Sequence, residues 1–291
     1  MKFLITAGSS QAPIDRVRCV TNVYSHRIGT TLARTAWVRG HSVTILTSEP
    51  ESLTDLPDPT EDSDRRVTII PYRTFDDLTG LLQQAVKGGS FDAIFHAAAV
   101  SDYLSAGVYT AQPGTSFNAR TKRWDASGPP LMDEQKGNKI KSSEPELWVR
   151  LVRAPKLIER FRQQWGYKGF LIKFKQEAGT EDHLLVKVAE KSRVRSDADL
   201  IVASTLESAN HWAFVGPIDG RYDRIPRREL ADHLILTVEH IARTTRNISP
   251  EIVVPPGSQT TMDFSIGQIG SRPDLRMPGS RSNLTLPESQ G

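Results

Sequence analysis

Short apolar runs, each closed by a turn signal and followed by a helix-spaced pattern, recur along the first 245 residues of this chain. Phe3-Leu4-Ile5-Thr6-Ala7 ends at Gly8, the signature of a buried parallel strand. Residues 26–39 place Ile28, Leu32, Ala36 and Val38 at helical spacing and stop at Gly40. Ser42–Thr47 and Val67–Pro71 read as the second and third strands, Phe75–Val86 as a helix, and Phe91–Ala98 as the fourth strand. After Trp148–Val152 the pattern resumes with a helix over 155–165, a strand over Gly169–Phe174, a helix over Leu184–Arg193 and a strand over Ala198–Ala203. Trp212–Val215 and a helix over Arg228–Arg243 close the ordered part. This cadence predicts an α/β fold: a doubly wound, mostly parallel, Rossmann-like sheet with helices on both faces.

Two stretches fall outside the cadence. Residues 105–138 carry many Gly and Pro residues and little periodicity, which predicts a long loop or insertion. Residues 249–291 hold Pro255-Pro256-Gly257, several Ser and Gly residues and no sustained apolar pattern. The expected organisation is one domain over residues 1–248 with an insertion at 105–138, then a flexible, disordered tail over 249–291.

Composition removes several function classes. The chain has 291 residues, 38% of them hydrophobic and 24% charged, so a sizeable core can form. Its 37 Lys and Arg against 34 Asp and Glu leave a net charge of +3, which is no footprint for nucleic acid. No window approaches eighteen uncharged apolar residues, so no membrane span is expected. Met1–Gly8 is too short for a signal segment and reads as the first strand. One cysteine, Cys19, excludes a disulfide framework and a cysteine-rich metal site. The expected location is cytoplasmic.

Few residues stand out for chemistry on spacing alone. Gly8 lies between a strand and a helix, where a doubly wound sheet binds phosphate. The next glycine, Gly29, comes too late for a dinucleotide fingerprint, so Gly8 reads equally as an ordinary turn glycine. Asp102, after the small residues Ala97-Ala98-Ala99, could hold a metal or a hydroxyl, or cap the next turn. Lys139-Ile140-Lys141 offers point charges for phosphate, or is simply a solvated segment. His96 and His183 are isolated, no cluster has metal-ligand spacing, and neither a G-x-S-x-G elbow nor a Walker A loop occurs.

Taken in order, these pieces resemble one family. Thr6-Ala7-Gly8, Pro13-Ile14-Asp15-Arg16-Val17-Arg18, Thr21-Asn22 and Gly29 are similar to the opening signature of phosphopantothenoylcysteine synthetases. Ala98-Ala99-Val100-Ser101-Asp102-Tyr103 resembles the family's A-A-V-A/S-D-Y/F, and Lys139-Ile140-Lys141 its K-I-K. Leu151–Ile158, Phe170–Glu177 and Asp199–Ala203 resemble three further motifs, the second of them V-G-F-x-A/L-E-T. The resemblance implies a ligase of coenzyme A biosynthesis that joins 4′-phosphopantothenate to cysteine through an acyl-nucleotidylate. CTP or ATP would be the co-substrate, with Mg²⁺ and no flavin. It implies a homodimer, no nucleic-acid or membrane partner, and a separate flavin-dependent decarboxylase acting next. By position, Asn22 and Lys139 match catalytic residues. Gly8, Ala98, Ala99, Val100, Asp102, Phe174 and Lys191 match the nucleotide site, and Ser25, Arg27 and Lys141 a phosphate or substrate site; Asp102 is also the candidate metal ligand.

The departures open a second reading. The family's S-S-G becomes Tyr24-Ser25-His26, its A-N-D becomes Ala203-Ser204-Thr205, and two lysines of CTP-using members become Ser192 and Ser196. A diverged, non-catalytic nucleotide- or phosphate-binding protein on the same fold is the alternative. A nicotinamide-dependent reductase would need a Tyr-x-x-x-Lys dyad beside a strand, and none stands in a suitable place.

Overall fold

The computed structural model describes residues 1–23, 27–56, 66–137, 139–141 and 143–247, so Tyr24-Ser25-His26 and the expected tail lie outside the described residues. In chain order the first elements are β1 (Lys2–Ala7), the hairpin strands β2 (Gln11–Pro13) and β3 (Cys19–Thr21), α1 (Ile28–Val38), β4 (Ser42–Thr47) and β5 (Val67–Pro71). Next come α2 (Phe75–Gly88), β6 (Ala93–His96), β7 (Tyr103–Ala111), β8 (Ser116–Asn118), β9 (Arg123–Asp125), β10 (Met132–Glu134) and β11 (Trp148–Arg153). The last are α3 (Leu157–Gln163), β12 (Phe170–Glu177), α4 (Asp182–Ser196), β13 (Leu200–Thr205), β14 (Trp212–Ile218), β15 (Arg221–Pro226) and α5 (Leu230–Asn247).

Eight strands form the main sheet in the order β15-β14-β13-β12-β6-β1-β4-β5. The six from β13 to β5 run parallel, and β14 and β15 add an antiparallel edge. Period-two alternation divides the strand residues between two apolar layers. On one face, α1 and α5 bring Ile28, Leu32, Leu234 and Val238 against Phe3, Ile5, Phe95 and Ile172. On the other, Leu78 and Leu82 of α2 and Phe161 of α3 cover Leu4, Ile94 and Leu171. Leu185 and Ala189 of α4 cover Ile201 and Ala203. Burial of each large side chain contributes about 1.5–3 kcal/mol, so the two layers hold the sheet between helices. The expected α/β class, with a mostly parallel sheet and helices on both faces, is therefore what the chain forms. Among the described residues no helix is long and apolar enough to cross a membrane.

Of the stretch expected as a long loop or insertion, 105–138, the described residues 105–137 form an ordered β excursion. β10, β7 and β11 make a three-stranded antiparallel sheet, and β8 and β9 make a hairpin. Phe117, Trp124 and Trp148 stack edge-on or tilted with ring centroids 4.8–5.3 Å apart, which gives the excursion a small apolar centre of its own. Strands of three residues give too short an alternation to rise above the surrounding Gly and Pro signals. β15 was likewise not expected, because it exposes most of its residues at the sheet edge.

Gly29 shows how tightly α1 seats on β1. A Cβ there would lie 2.6 Å from the Ala7 Cβ and 2.9 Å from the Thr6 carbonyl oxygen. Gly80, inside α2, has nothing within 4 Å of the same added atom. Gly29→Ala is expected to lower stability by about 1–3 kcal/mol through overpacking, whereas Gly80→Ala gains about 0.5–1 kcal/mol from helix propensity. Thermal unfolding of the two variants should shift in opposite directions.

Candidate functional site

Strand order reverses beside β1: the chain first builds outward through β4 and β5, then crosses to β6, β12 and β13. At such a reversal the loops at the carboxyl ends of the strands part, and a crevice opens between them. The two loops are the segment after β1 and the segment 97–102 after β6. A backbone ladder joins them. Ala99 N–H donates to the Gly8 carbonyl (2.8 Å), Ser10 N–H to the Ala99 carbonyl (3.2 Å), and Ser101 N–H to Ser10 Oγ (2.9 Å). Thr6 Oγ1 accepts from Ala98 N–H at 3.0 Å and is hydrogen-bonded to His96 Nδ1 at 3.1 Å. Asn22, directly after β3, donates its carboxamide N–H to the Ala99 carbonyl at 3.1 Å.

The crevice has a volume of about 660 Å³. Asn22, Ala98, Ala99, Val100, Asp102 and Phe174 all line it, so the structure brings together six of the residues expected from the sequence. Its charge is strongly one-sided: Arg153, Lys156, Lys173, Lys175, Arg195 and Arg227 line it against Asp102 and Glu159. Lys156 pairs with Asp102, and Lys175 with Glu177 at 2.8 Å. Such a cavity concentrates anions. At its floor, burial and the neighbouring Lys173 push the His96 imidazole down to about 4, so the ring is neutral at pH 7. Burial, helped by Lys175, Lys156 and Arg195 and opposed by Glu159, pushes the Lys173 ammonium down to about 8.

The remaining candidates fall elsewhere. Gly8 does not line the crevice. Its φ of +78° and the 2.1 Å approach of Ser48 Oγ to an added Cβ make it the glycine of a tight turn, with its carbonyl taken by Ala99. Lys191 is exposed on α4 and outside the crevice, to which that helix contributes Ser192 and Arg195. Arg27 is exposed at the start of α1, where its carbonyl accepts from the Thr30 and Thr31 hydroxyls. Ser25 lies outside the described residues. Lys139 and Lys141 are exposed and flank the buried Ile140. For a metal, no three His, Cys, Asp or Glu side chains gather among the described residues, and Asp102 is already paired with Lys156. The described residues do not fit a resident metal ion.

The segment holding Ile140 is clasped to the β2–β3 hairpin by one carboxylate. Asp15 Oδ1 accepts from the Val17 and Arg18 backbone N–H groups at 2.9 and 2.8 Å. Asp15 Oδ2 accepts from the Arg18 guanidinium at 2.6 Å and from Ile140 N–H at 3.1 Å, and Arg18 also donates to the Ile140 carbonyl at 2.7 Å. The Asp15 side chain is 1% exposed. This network explains why Asp15 and Arg18 stand three apart in the sequence, and it ties two motifs far apart in the chain. Lys173, Lys156 and Arg153 escaped sequence reasoning as site residues. Lys173 interrupts an apolar strand, and only the pairing of Lys173 with His96 shows which way it faces.

The Arg18 guanidinium, with the backbone donors, holds the Asp15 carboxyl well below the usual carboxylate range. Its contribution is therefore full above the unfolded value of about 3.9 and is lost as pH falls toward the folded value. Asp15→Asn should unfold more readily than the parent at pH 7, and the gap should narrow as pH drops below about 4. Denaturant titrations across that range read this directly.

Comparison with known proteins agrees with this picture. A family model described as the DNA/pantothenate metabolism flavoprotein C-terminal domain matches residues 1–112. The coenzyme A biosynthesis bifunctional protein CoaBC of Thermococcus kodakarensis is 29% identical over 239 residues, 80% of this chain and 49% of that protein. The Escherichia coli protein of the same name is 26% identical over 207 residues, 70% of this chain and 41% of its own. The chain thus spans about half the length, or less, of these relatives. A crystal structure of the DNA/pantothenate metabolism flavoprotein from Streptococcus pneumoniae superposes with a TM-score of 0.63 at 25% identity, covering 83% of this chain and 99% of that one. The fold is also shared with a Cab2 variant solved in complex with phosphopantothenate-cysteine, at a TM-score of 0.56 and 18% identity over 84% of this chain and 86% of that one. These findings bear out the resemblance to the phosphopantothenoylcysteine synthetase family.

Proposed function

We propose, from this kinship with the phosphopantothenoylcysteine synthetases, that the chain is a ligase joining 4′-phosphopantothenate to cysteine. The observation that carries the reading is the cation-rich crevice at the sheet's reversal, rimmed by Asn22 and the 98–102 segment. Both substrates of the first step are polyanions, a nucleoside triphosphate (CTP or ATP) and a phosphorylated carboxylate. The six cations lining the crevice would offset their mutual repulsion. A carboxylate oxygen attacks the α-phosphorus, and pyrophosphate leaves. The cysteine amine then attacks the acyl carbon, the nucleoside monophosphate leaves, and an amide bond remains. No covalent bond to the protein is needed, so the chain's part is to position and to neutralise. Any Mg²⁺ enters with the triphosphate as part of the substrate. Asn22, held on the Ala99 carbonyl, stands where it can orient the acyl-nucleotidylate.

One observation favours the non-catalytic reading: Lys139, expected to contact the activated intermediate, is exposed and outside the crevice. The two readings separate in a single assay. With 4′-phosphopantothenate, cysteine, Mg²⁺ and CTP or ATP, the ligase releases pyrophosphate stoichiometrically with amide. Asn22→Ala should slow release by about a hundredfold and abolish rescue of a synthetase-deficient strain. Binding of the triphosphate without any release establishes the non-catalytic reading instead.

A further inference from the structure

Lys173 is an unusual occupant of a parallel strand at the centre of a sheet. Its neighbours along β12, Leu171 and Ile172, are fully buried. The register sets it beside His96 on β6 and Ile201 on β13, on the face covered by α3 and α4. Its ammonium donates to the Ser192 carbonyl at 3.0 Å and meets Ser196 Oγ at 3.2 Å. An ammonium carries three donors, and among the described residues the third has no protein acceptor while the group lines the crevice.

The surroundings do not neutralise it. Lys175 on the same strand, Lys156 ahead of α3 and Arg195 on α4 all disfavour its charge, and Glu159 on α3 is the acid that favours it. His96 is neutral at pH 7 and supplies no counter-charge. Lys156 already pairs with Asp102, and Lys175 with Glu177. A half-buried, under-compensated cation of this kind is costly in the empty protein and is relieved by an incoming anion.

We infer that Lys173 is the floor anchor of the crevice, a specificity-determining residue that receives a phosphoryl group of the bound ligand. Ser192 and Ser196 hold the stem in place, and the unfilled donor points the charge at the ligand. A phosphoryl group rather than a carboxylate fits best, because Arg153 and Arg195 line the same crevice and call for more than one negative charge. The inference deepens the ligase reading in naming what the site grips, but the grip itself does not require turnover.

The test is equilibrium binding by calorimetry with CTP, ATP, 4′-phosphopantothenate and inorganic pyrophosphate, each from pH 7 to pH 9. The unmodified protein should bind at least one of them and lose affinity as pH rises past about 8. Lys173→Met should weaken that ligand about tenfold at pH 7 and flatten the pH dependence. Lys173→Arg should keep the affinity within a few-fold and also flatten the curve, since guanidinium stays charged throughout. Lys156→Met should retain the fall above pH 8. The ligand whose binding responds identifies the phosphoryl source. Thermal unfolding of Lys173→Met should match or exceed the parent, because a buried charge is removed.

Unchanged affinity and an unchanged pH curve in Lys173→Met would overturn the inference, as would the absence of binding by any of the four ligands. Lys173-dependent binding without pyrophosphate release rejects the ligase and keeps the anchor. Normal release by Lys173→Met rejects the anchor and keeps the ligase.

Discussion

The reversal of strand order between β1 and β6 governs everything else in this molecule. A parallel sheet buries both faces, so its interior offers no room for a ligand. Room arises only where two successive crossovers leave in opposite directions and their loops separate. Here those loops carry almost no side-chain bulk: Gly8 on one, Ala97-Ala98-Ala99 on the other. They can therefore bond backbone to backbone across the gap, and the crevice behind them stays open. Thr6 and His96, themselves buried, set the depth of the floor.

Electrostatics then decides what enters. Cations reach the crevice from four separate places: Arg153 and Lys156 around the start of α3, Lys173 and Lys175 from β12, Arg195 from α4, and Arg227 ahead of α5. Because they come from four separate places, their convergence shows only in the fold, and the whole chain carries only +3. Near-neutral overall charge and a strongly positive cleft are compatible because the balancing acids sit elsewhere, as Asp199 beside Arg162 and Glu239 beside Arg39 do. Glu239, buried beside His41, pairs with the exposed Arg39 and joins α5 to the end of α1, and none of the three lines the crevice.

How much of this could be read from the sequence depended on the range of the interactions involved. Buried parallel strands are continuous apolar runs, so β1, β4, β6 and β13 were readable from local pattern alone. The excursion from β7 to β11 was not, because β8, β9 and β10 have three residues each, and the β7 partner of β10 lies more than 20 positions away. The site was half readable. Asn22 and the 98–102 segment announce themselves by motif. Lys173 does not, because a lone lysine in a strand says nothing about which face it takes until its register with β6 is known. Lys139 shows the opposite error: its motif is clear, but its segment is anchored through Ile140, and the charge it carries faces outward.

The Asp15 clasp has a consequence for the order in which the chain assembles. The hydrogen bond from Arg18 to the Ile140 carbonyl closes a loop of 122 residues, whereas those that Asp15 accepts from the Val17 and Arg18 N–H groups span two or three. The local half can form as soon as β2 meets β3. The distant half carries the larger closure cost, since non-local contacts are rewarded only after their loops are closed. The same geometry makes it the natural point of first release, where the amide of Ile140 would exchange with solvent while the sheet amides remain protected.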